Sequence, residues 1–200
     1  GTAIEALKNG TLLRALDLSD AQSEHLAEAA LLTNKPFFYV ANVSANELPE
    51  GGSLAHVLQE HAQGTGAETV IICAALEDEI SEFSAAEAQD FLEAYGVKET
   101  GLERFIQTGY HLLNYITFFT TTGGKEVRAW NIIRGTTVIE AAGKIHTDMA
   151  KGFIRAEVVP CDALIAAGSM ARVREAGILQ VEGRDYIVQD GDVIHVRFNV

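Results

Sequence analysis

Two short segments contain residues whose types and positions could recognise a small ligand. Asn42 lies near the end of an apolar run at 37–43, and Cys73, followed by Ala74, ends a second run at 68–73. Both runs are short and rich in β-branched residues, which predicts buried strands of a parallel sheet. Ligands of open α/β sheets bind beyond the carboxyl ends of the strands. The Asn42 amide could therefore bind the edge of a purine ring, or it could join two loops.

The other reactive residue types do not form a catalytic pattern. Cys73 has no histidine or basic partner nearby in the sequence, so it is not a convincing nucleophile. His146 and Asp148 are two residues apart, which fits no metal-ligand spacing. We expect Thr147 or Asp148 to cap a helix and His146 to be packed or hydrogen-bonded. The sequence thus predicts neither a catalytic residue nor a metal site.

The sequence also lacks a recognisable phosphate-binding loop. The pattern Gly-x-x-x-x-Gly-Lys-Ser/Thr, whose amides and lysine hold phosphates, occurs nowhere in the 200 residues. Gly123-Gly124-Lys125 lacks a leading glycine at the right spacing and lies between two predicted strands. Gly143-Lys144 lacks the same spacing. We therefore interpret neither segment as a phosphate loop.

Charge divides the chain near residue 116. Residues 1–116 contain five of the 15 basic and 18 of the 28 acidic side chains, whereas the remainder contains ten of each. The first part is thus strongly acidic and should repel nucleic acid, or it is simply a well-solvated surface. No apolar run reaches the ~20 residues of a membrane helix. The two cysteines form no CxxC motif, so we expect reduced thiols and a cytoplasmic protein. We also expect no membrane partner and no sequence-specific reading of DNA.

The neutral second part offers a candidate binding face. Its basic residues fall around predicted strands and helices that also contain Trp130 and Phe153, so together they could contact RNA or another partner. The alternative is scattered surface charge balanced by the ten acids. The five candidates are Arg128, Arg134, Lys144, Lys151 and Arg155.

Helix signals in the first part predict half of a doubly wound α/β unit, in the order strand, helix, strand, helix, helix. The predicted caps are Ser19 with Gln22, Ser53, Ser84 with Glu87 and Thr100 with Glu103, and the predicted stops include Gly10, Gly64 and Gly96. Two parallel strands make a poor sheet alone, so we expect this part to dock on something or to be only marginally stable.

The second part changes to many short strands. Runs at 116–120, 127–133, 153–159, 179–181, 186–188 and 193–198 read as strands, with a turn at Gly123-Gly124. Thr136 or Thr137 should start a short helix that Gly143 stops, and two more helices are expected at 163–167 and 170–176. Strands around one short helix in about 80 residues suit a β-grasp, or ubiquitin-like, fold. The predicted class of the whole chain is α+β.

Three motifs of the second part resemble a known family. They are 143–158 (GKIHTDMAKGFIRAEV), 126–130 (EVRAW) and 188–193 (VQDGDV). Together they look like the C-terminal TGS domain of the YchF/Obg-like ATPase family, a branch of the P-loop GTPases. Residues 31–43 are similar to the segment that leads into the family's base-recognition motif. The resemblance implies three regions: 1–35 as the end of an inserted helical domain, 36–116 as the last part of a G domain, and 117–200 as TGS.

The same resemblance implies a nucleotide site that this chain only partly contains. Asn42, Val43, Cys73 and Ala74 correspond to residues that contact the base in an intact family member. Where the family typically has Asn-x-x-Glu, Ala45 stands at the acid position, so Glu47 is a candidate substitute. An intact member would bind ATP or GTP with Mg²⁺ and associate with ribosomes. We therefore expect a C-terminal fragment that does not hydrolyse nucleotide alone. The alternatives are an RNA-, ribosome- or protein-binding module without a nucleotide role, and a free-standing enzyme.

Overall fold

The chain has a mixed fold, in which helices alternate with strands that form two separate sheets. The computed structural model describes residues 1–122 and 126–199. It contains two units, Gly1–Leu112 and Leu113–Val200. The predicted turn at Gly123-Gly124, together with Lys125, lies outside the described residues. Within the described part, no helix is both long and apolar enough to span a bilayer.

The first unit consists of six helices, one pair of strands and three short 3-10 turns within its described residues. The helices are α1 (Thr2–Lys8), α2 (Asp20–Glu28), α3 (Gly52–Thr65), α4 (Ala74–Ile80), α5 (Ala85–Ala94) and α6 (Gly101–Leu112). The strands are β1 (Tyr39–Asn42) and β2 (Thr69–Ile72), and the 3-10 turns are Leu13–Ala15, Leu32–Asn34 and Ala45–Glu47.

Most of the predicted helix starts are confirmed. Ser19 caps α2, Ser84 caps α5, and Thr100 and Glu103 hydrogen-bond each other reciprocally at the start of α6. The prediction for Ser53 is wrong, because α3 already begins at Gly52 with Gly51 as its N-cap. Gly51 has a φ of 88°, and this left-handed backbone starts the helix earlier than a serine cap would. Likewise α3 passes through Gly64 and ends at Thr65.

The two strands of this unit pair in parallel, as predicted, but they are shorter and more exposed than expected. Tyr39 to Asn42 lie opposite Thr69 to Ile72. Along β1 only Ala41 is buried, and Val40 remains 38 % exposed. The described part of the sheet has two strands, so no neighbouring strand covers their edges. The main core of the unit instead lies beside α4 and α5, where Cys73, Leu76, Ile80, Leu92 and Val97 cluster.

The second unit is built on a five-stranded mixed sheet. Its strands are β3 (Tyr115–Thr122), β4 (Glu126–Ile133), β5 (Phe153–Pro160), β6 (Gln180–Glu182) and β7 (Asp192–Phe198), in the spatial order β4-β3-β7-β5-β6. β3 and β7 are parallel, and the other neighbouring pairs are antiparallel. The helices are α7 (Val138–Ile145), α8 (Thr147–Lys151), α9 (Cys161–Ala167) and α10 (Met170–Glu175).

Alternation along the strands gives this sheet a core on each face. On β3, Ile116 and Phe118 point into the larger cluster, which also contains Val138 of α7. Phe119, the next residue, packs instead against the cluster of Val159, Val173 and Val193. The sheet is therefore covered by α7 on one face and by α9 and α10 on the other.

Three expectations for the second unit are wrong. Residues 186–188 do not form a strand; Ile187 makes only an isolated bridge to Thr137. The α7 helix continues through Gly143 to Ile145, because Gly143 has no positive φ to turn the chain. The cap of α8 is His146, whose Nδ1 accepts a hydrogen bond from the Asp148 amide at 3.2 Å, so neither Thr147 nor Asp148 is the cap. Thr137 does cap α7, as predicted.

Candidate functional site

The side chain of Asn42 links the carboxyl ends of the two parallel strands. Its Oδ1 accepts a hydrogen bond from the Ala74 amide at 3.0 Å, and Ala74 is the first residue of α4. The link forms because α4 starts directly after β2, a helix that the sequence analysis missed. Of the two roles considered for Asn42, the structure shows the tie between strand ends, which places Asn42 beside Cys73 and Ala74.

The start of α6 is held at the same end of the sheet by Glu77. Its carboxylate accepts hydrogen bonds from the Gly101 amide at 2.7 Å and the Leu102 amide at 3.2 Å. A side chain at Gly101 would come within 2.8 Å of Ile72 Cγ2. Glycine at this position thus lets α6 approach β2 closely. No local pattern around Glu77 predicts this contact, because Gly101 lies 24 residues later in the chain.

These contacts limit what this end of the sheet can bind. Helix N-termini attract phosphates because their first amides lack partners within the helix. Here Asn42 already occupies an amide of α4, and the Glu77 carboxylate occupies two amides of α6. A phosphate would have to displace these acceptors, and Glu77 would repel it. The arrangement suits contacts with an uncharged ring better than contacts with a phosphate chain.

The remaining candidates of the first unit are largely engaged by their neighbours. The Val43 amide donates to the Ile72 carbonyl at 2.8 Å, and Cys73 is buried. Glu47 accepts from the Ser44 amide at 3.1 Å and from the Ser44 hydroxyl. These two hydrogen bonds, the hydroxyl first, lower the pKa of the Glu47 carboxyl. Within residues 1–122 and 126–199, no group of three or more His, Cys, Asp or Glu side chains is placed to hold a metal ion.

We expect Asn42→Ala to lower the free energy of unfolding of the first unit by about 1 kcal/mol, because the Ala74 amide loses its acceptor. Asn42→Asp keeps an acceptor beside the helix start and should restore most of the loss. Urea denaturation followed by far-ultraviolet circular dichroism measures both changes. Asn46→Ala, at an exposed position four residues later, is the matched control. Equal stabilities of Asn42→Ala and Asn46→Ala would contradict the role of the tie.

The five basic candidates of the second unit are distributed over different elements. Arg128 lies on β4, next to Glu126, whose carboxylate it contacts at 2.8 Å. Lys144 and Lys151 are in the last turns of α7 and α8, and the Arg134 amide donates to the Asn114 carbonyl just after β4. Arg155 lies on β5 opposite Arg197. Strand alternation places Arg128 on the α7 face of the sheet and Arg155 on the other, so the five do not share one surface.

A buried acid on β5 gathers basic side chains that the sequence analysis did not single out. Glu157 is only 7 % exposed, and its carboxylate accepts from Arg197 Nε at 3.0 Å and from Arg174 Nη2 at 3.5 Å. The Arg197 hydrogen bond is the main cause of a lowered pKa at Glu157, against the opposing effect of burial. The Arg174 contact joins α10 to β5, and the Arg197 contact joins β5 to the central strand β7. No local spacing could reveal it, because residues 157 and 197 meet only through strand pairing.

This lowered pKa predicts a pH dependence of stability. A carboxyl whose pKa is lower in the folded state stabilises the fold above its unfolded pKa of about 4.3, and this contribution is lost as the pH falls through the folded value. We expect Glu157→Gln to cost about 1–2 kcal/mol at pH 7, a modest figure because both arginines are about half exposed. The variant should also show a shallower loss of stability below pH 4.3.

Unfolding in urea at pH 7, 5, 4 and 3 provides the measurement. Glu175→Gln, at an exposed position on α10, serves as the control. If Glu157→Gln and the wild type lost stability in parallel on acidification, Glu157 would not be the group responsible.

Comparisons with known proteins give matches along almost the whole chain. Residues 115–199 match the family model YchF-GTPase_C, described as a protein of unknown function (DUF933). The protein named ribosome-binding ATPase YchF from Bacillus subtilis is 44% identical over 198 residues, which is 98% of this chain and 54% of that protein. Its namesake from Escherichia coli O157:H7 is 44% identical over 194 residues, 97% of this chain and 53% of that protein. The chain thus spans about half the length of these relatives.

Solved structures give the same result. The structure of the Schizosaccharomyces pombe YchF GTPase superposes with a TM-score of 0.84 at 28% identity, over 98% of this chain and 52% of that one. A GTP-binding protein from Pyrococcus horikoshii OT3 matches with a TM-score of 0.58 at 18% identity, over 98% of this chain and 56% of that one, a likeness of fold alone.

Proposed function

Because the chain belongs to the YchF family, we propose that it forms the C-terminal part of a ribosome-associated, nucleotide-hydrolysing protein. The observation that carries this proposal is the match of 98% of the chain to a relative named for ribosome binding and ATPase activity. In this proposal the first unit contributes the base side of a nucleotide site, and the second unit contacts the ribosome.

The base side of the site lies at the ends of β1 and β2. Asn42 and the backbone around Cys73 and Ala74 would border the ring, with Val43 behind them. Ser44 hydrogen-bonds the Glu47 carboxylate. Glu47 would have to break these hydrogen bonds to contact the base in place of an acid at position 45. We assign the triphosphate and Mg²⁺ to residues outside this chain, because the sequence has no phosphate loop and Asn42 and Glu77 occupy the nearby helix starts. We therefore propose that the chain does not hydrolyse ATP or GTP alone.

An exposed apolar stripe on α6 supports the proposal that another part of a longer protein completes the nucleotide site. Leu102, Phe105 and Ile106 recur at helical spacing, and they are 58, 42 and 49% exposed. A stripe of this kind normally packs against another element. We propose that the remainder of a longer YchF-type protein packs on it, which would place a phosphate-binding segment next to the ends of β1 and β2.

The second unit fits the β-grasp, TGS-type assignment. Its sheet begins with the β3–β4 hairpin, α7 follows on one face, and the last strand β7 returns parallel to β3 in the centre. We accordingly propose 1–35 as the end of a helical domain, 36–116 as the end of a G domain and 117–200 as TGS. RNA or ribosomal protein is its proposed partner in the cytoplasm. A binding module with no nucleotide role remains the second candidate, favoured by a cavity beside Trp130 that belongs to this unit alone.

Sedimentation with purified bacterial ribosomes tests the proposal. We expect the chain to pellet with ribosomes at ~50 mM salt, and binding to RNA should weaken steeply towards ~200 mM salt because counterions are released. Binding that salt does not affect would assign the contact to ribosomal protein. A chain that stays in the supernatant at low salt, with its folding verified by circular dichroism, would contradict the proposed ribosome association.

A further inference from the structure

The two central strands of the second unit separate before they end. β3 and β7 pair only at Phe119 with Val193 and at Thr120 with Ile194, although β3 continues to Thr122 and β7 to Phe198. A cavity of about 430 Å³ lies where they part, lined also by β4, α7 and α8. This volume is within the ~300–1,000 Å³ range of small-ligand sites.

Residues of both faces of the sheet line this cavity. Strand alternation places the side chains of Thr120 and Val196 on the α7 face, and those of Thr121 and His195 on the other. Trp130 lies on the α7 face with Thr120, so the side chains of that face are the ones that can meet a ligand beside the indole.

The walls of the cavity are apolar and aromatic. Trp130, Ile145 and Met149 border the main core of the unit and are only partly buried, so each presents one side to the cavity. The indole Nε1 of Trp130 donates to Thr120 Oγ1 at 3.0 Å, which fixes the plane of the ring. A ring held in this way, in a cavity that a flexible thioether also lines, is a suitable platform for another flat ring.

Polar groups at the rim narrow the choice of ligand. The Thr120 hydroxyl, which accepts from Trp130, can still donate its own hydrogen to a ligand. Arg128 lies at the mouth, where Glu126 holds it at 2.8 Å. An aliphatic side chain would leave these groups without partners, whereas a heteroaromatic ring with a polar edge would engage them. The unit has ten basic and ten acidic residues, so it does not repel a phosphate backbone as the first part of the chain would.

We propose that this cavity binds an unpaired nucleobase of single-stranded RNA. The base stacks on Trp130 and contacts Met149, its polar edge meets the Thr120 hydroxyl, and the adjoining phosphate lies near Arg128. The choice of RNA rests on the proposed ribosome association, but the cavity's affinity for a base does not require a ribosome.

The single tryptophan of the chain makes the test direct, because a stacked base quenches indole fluorescence. The whole chain is titrated with hexanucleotides of A, C, G or U, and in a parallel arm with the four nucleoside monophosphates. We expect saturable quenching by at least one hexanucleotide and binding at least tenfold weaker for the monophosphates. Equal affinity for monophosphates would make the occupant a free nucleotide and overturn the RNA assignment.

Variants locate the binding. Labelled RNA followed by anisotropy should bind Trp130→Ala and Met149→Ala about tenfold more weakly, with Trp130→Phe close to wild type because it keeps a ring. Arg128→Ala should also weaken binding, whereas Arg134→Ala, at a residue just beyond the same strand and outside the cavity, should not. Thermal melts establish that each variant is folded. RNA binding without quenching, or unchanged in Met149→Ala and Arg128→Ala, would overturn the site. Ribosome sedimentation with no oligonucleotide binding would overturn it too, while leaving the proposed function intact.

Discussion

Phe118→Ala is expected to lower the free energy of unfolding of Leu113–Val200 by about 3–5 kcal/mol, the usual cost of removing a buried phenylalanine ring. Phe118 has no exposed surface and lies on β3, the strand next to the centre of the sheet. It belongs to the cluster that joins the sheet to α7, so its loss leaves a cavity beneath that helix. Urea denaturation monitored by the fluorescence of Trp130, its cross-strand neighbour, reports this change.

Val127→Ala provides the control in the same unit, because Val127 is 66% exposed on β4 and its truncation should cost no more than about 0.5 kcal/mol. Circular dichroism would show in parallel whether the first unit keeps its own transition. A loss below about 1 kcal/mol for Phe118→Ala would mean that the core is not centred on this residue.

Gly152→Ala is expected to destabilise the same unit by about 1–3 kcal/mol or more through steric overlap alone. Gly152 joins α8 to β5, and its carbonyl accepts from the Asn199 amide at 3.0 Å. A Cβ there would overlap the Asn199 carbonyl, which is backbone and cannot rotate away. The φ of Gly152 is −90°, so alanine is conformationally acceptable and only the contact is unfavourable.

Gly143→Ala should have the opposite sign. Gly143 lies within α7, and a Cβ there would meet only the Ala150 Cβ at 3.4 Å. Alanine costs less backbone entropy than glycine in a helix, so we expect a gain of about 0.5–1 kcal/mol. Thermal or urea unfolding of the two variants side by side compares them. If both glycines tolerated alanine equally, the approach of Asn199 to Gly152 would be wrong.

Helix starts were predictable from the sequence where the capping hydrogen bonds join residues that are close together in the chain. Ser84 with Glu87 and Thr137 with Glu140 each form hydrogen bonds across three residues, so the pattern alone contains the interaction. The predicted cap at Ser53 was wrong because the left-handed backbone at Gly51 begins α3 earlier. The prediction for Gly143 was wrong because a glycine inside a helix has the same letter as one that ends a helix, and Gly143 has no positive φ.

Contacts between distant residues explain the other differences. The run at 186–188 has the alternation of a strand, but the Val138 and Val188 amides bond to the Tyr186 and Thr136 carbonyls across a single bridge. Periodicity indicates which residues are apolar, but it does not show whether a partner strand is present to pair with them.

The candidate site was predictable only in its position. The ends of two buried runs indicated Asn42, Cys73 and Ala74, and the structure places them together. The roles of Glu77 and Gly101 depend on α6 returning to the end of β2, about 25 residues later in the chain, which no short motif encodes. The cavity beside Trp130 was beyond prediction for a similar reason, since it arises from the parting of two strands that lie some 75 residues apart in sequence.

Hydrolysis of ATP and GTP by the isolated chain with Mg²⁺ tests the central claim most directly. The claim is that these residues border a base but provide no cradle for phosphates, since Asn42 and Glu77 occupy the helix starts at this end of the sheet. Phosphate release should therefore not exceed that of buffer alone, while Trp130 fluorescence and circular dichroism show a folded chain. Mg²⁺-dependent turnover that elutes with the chain in gel filtration and falls in Asn42→Ala would contradict the account.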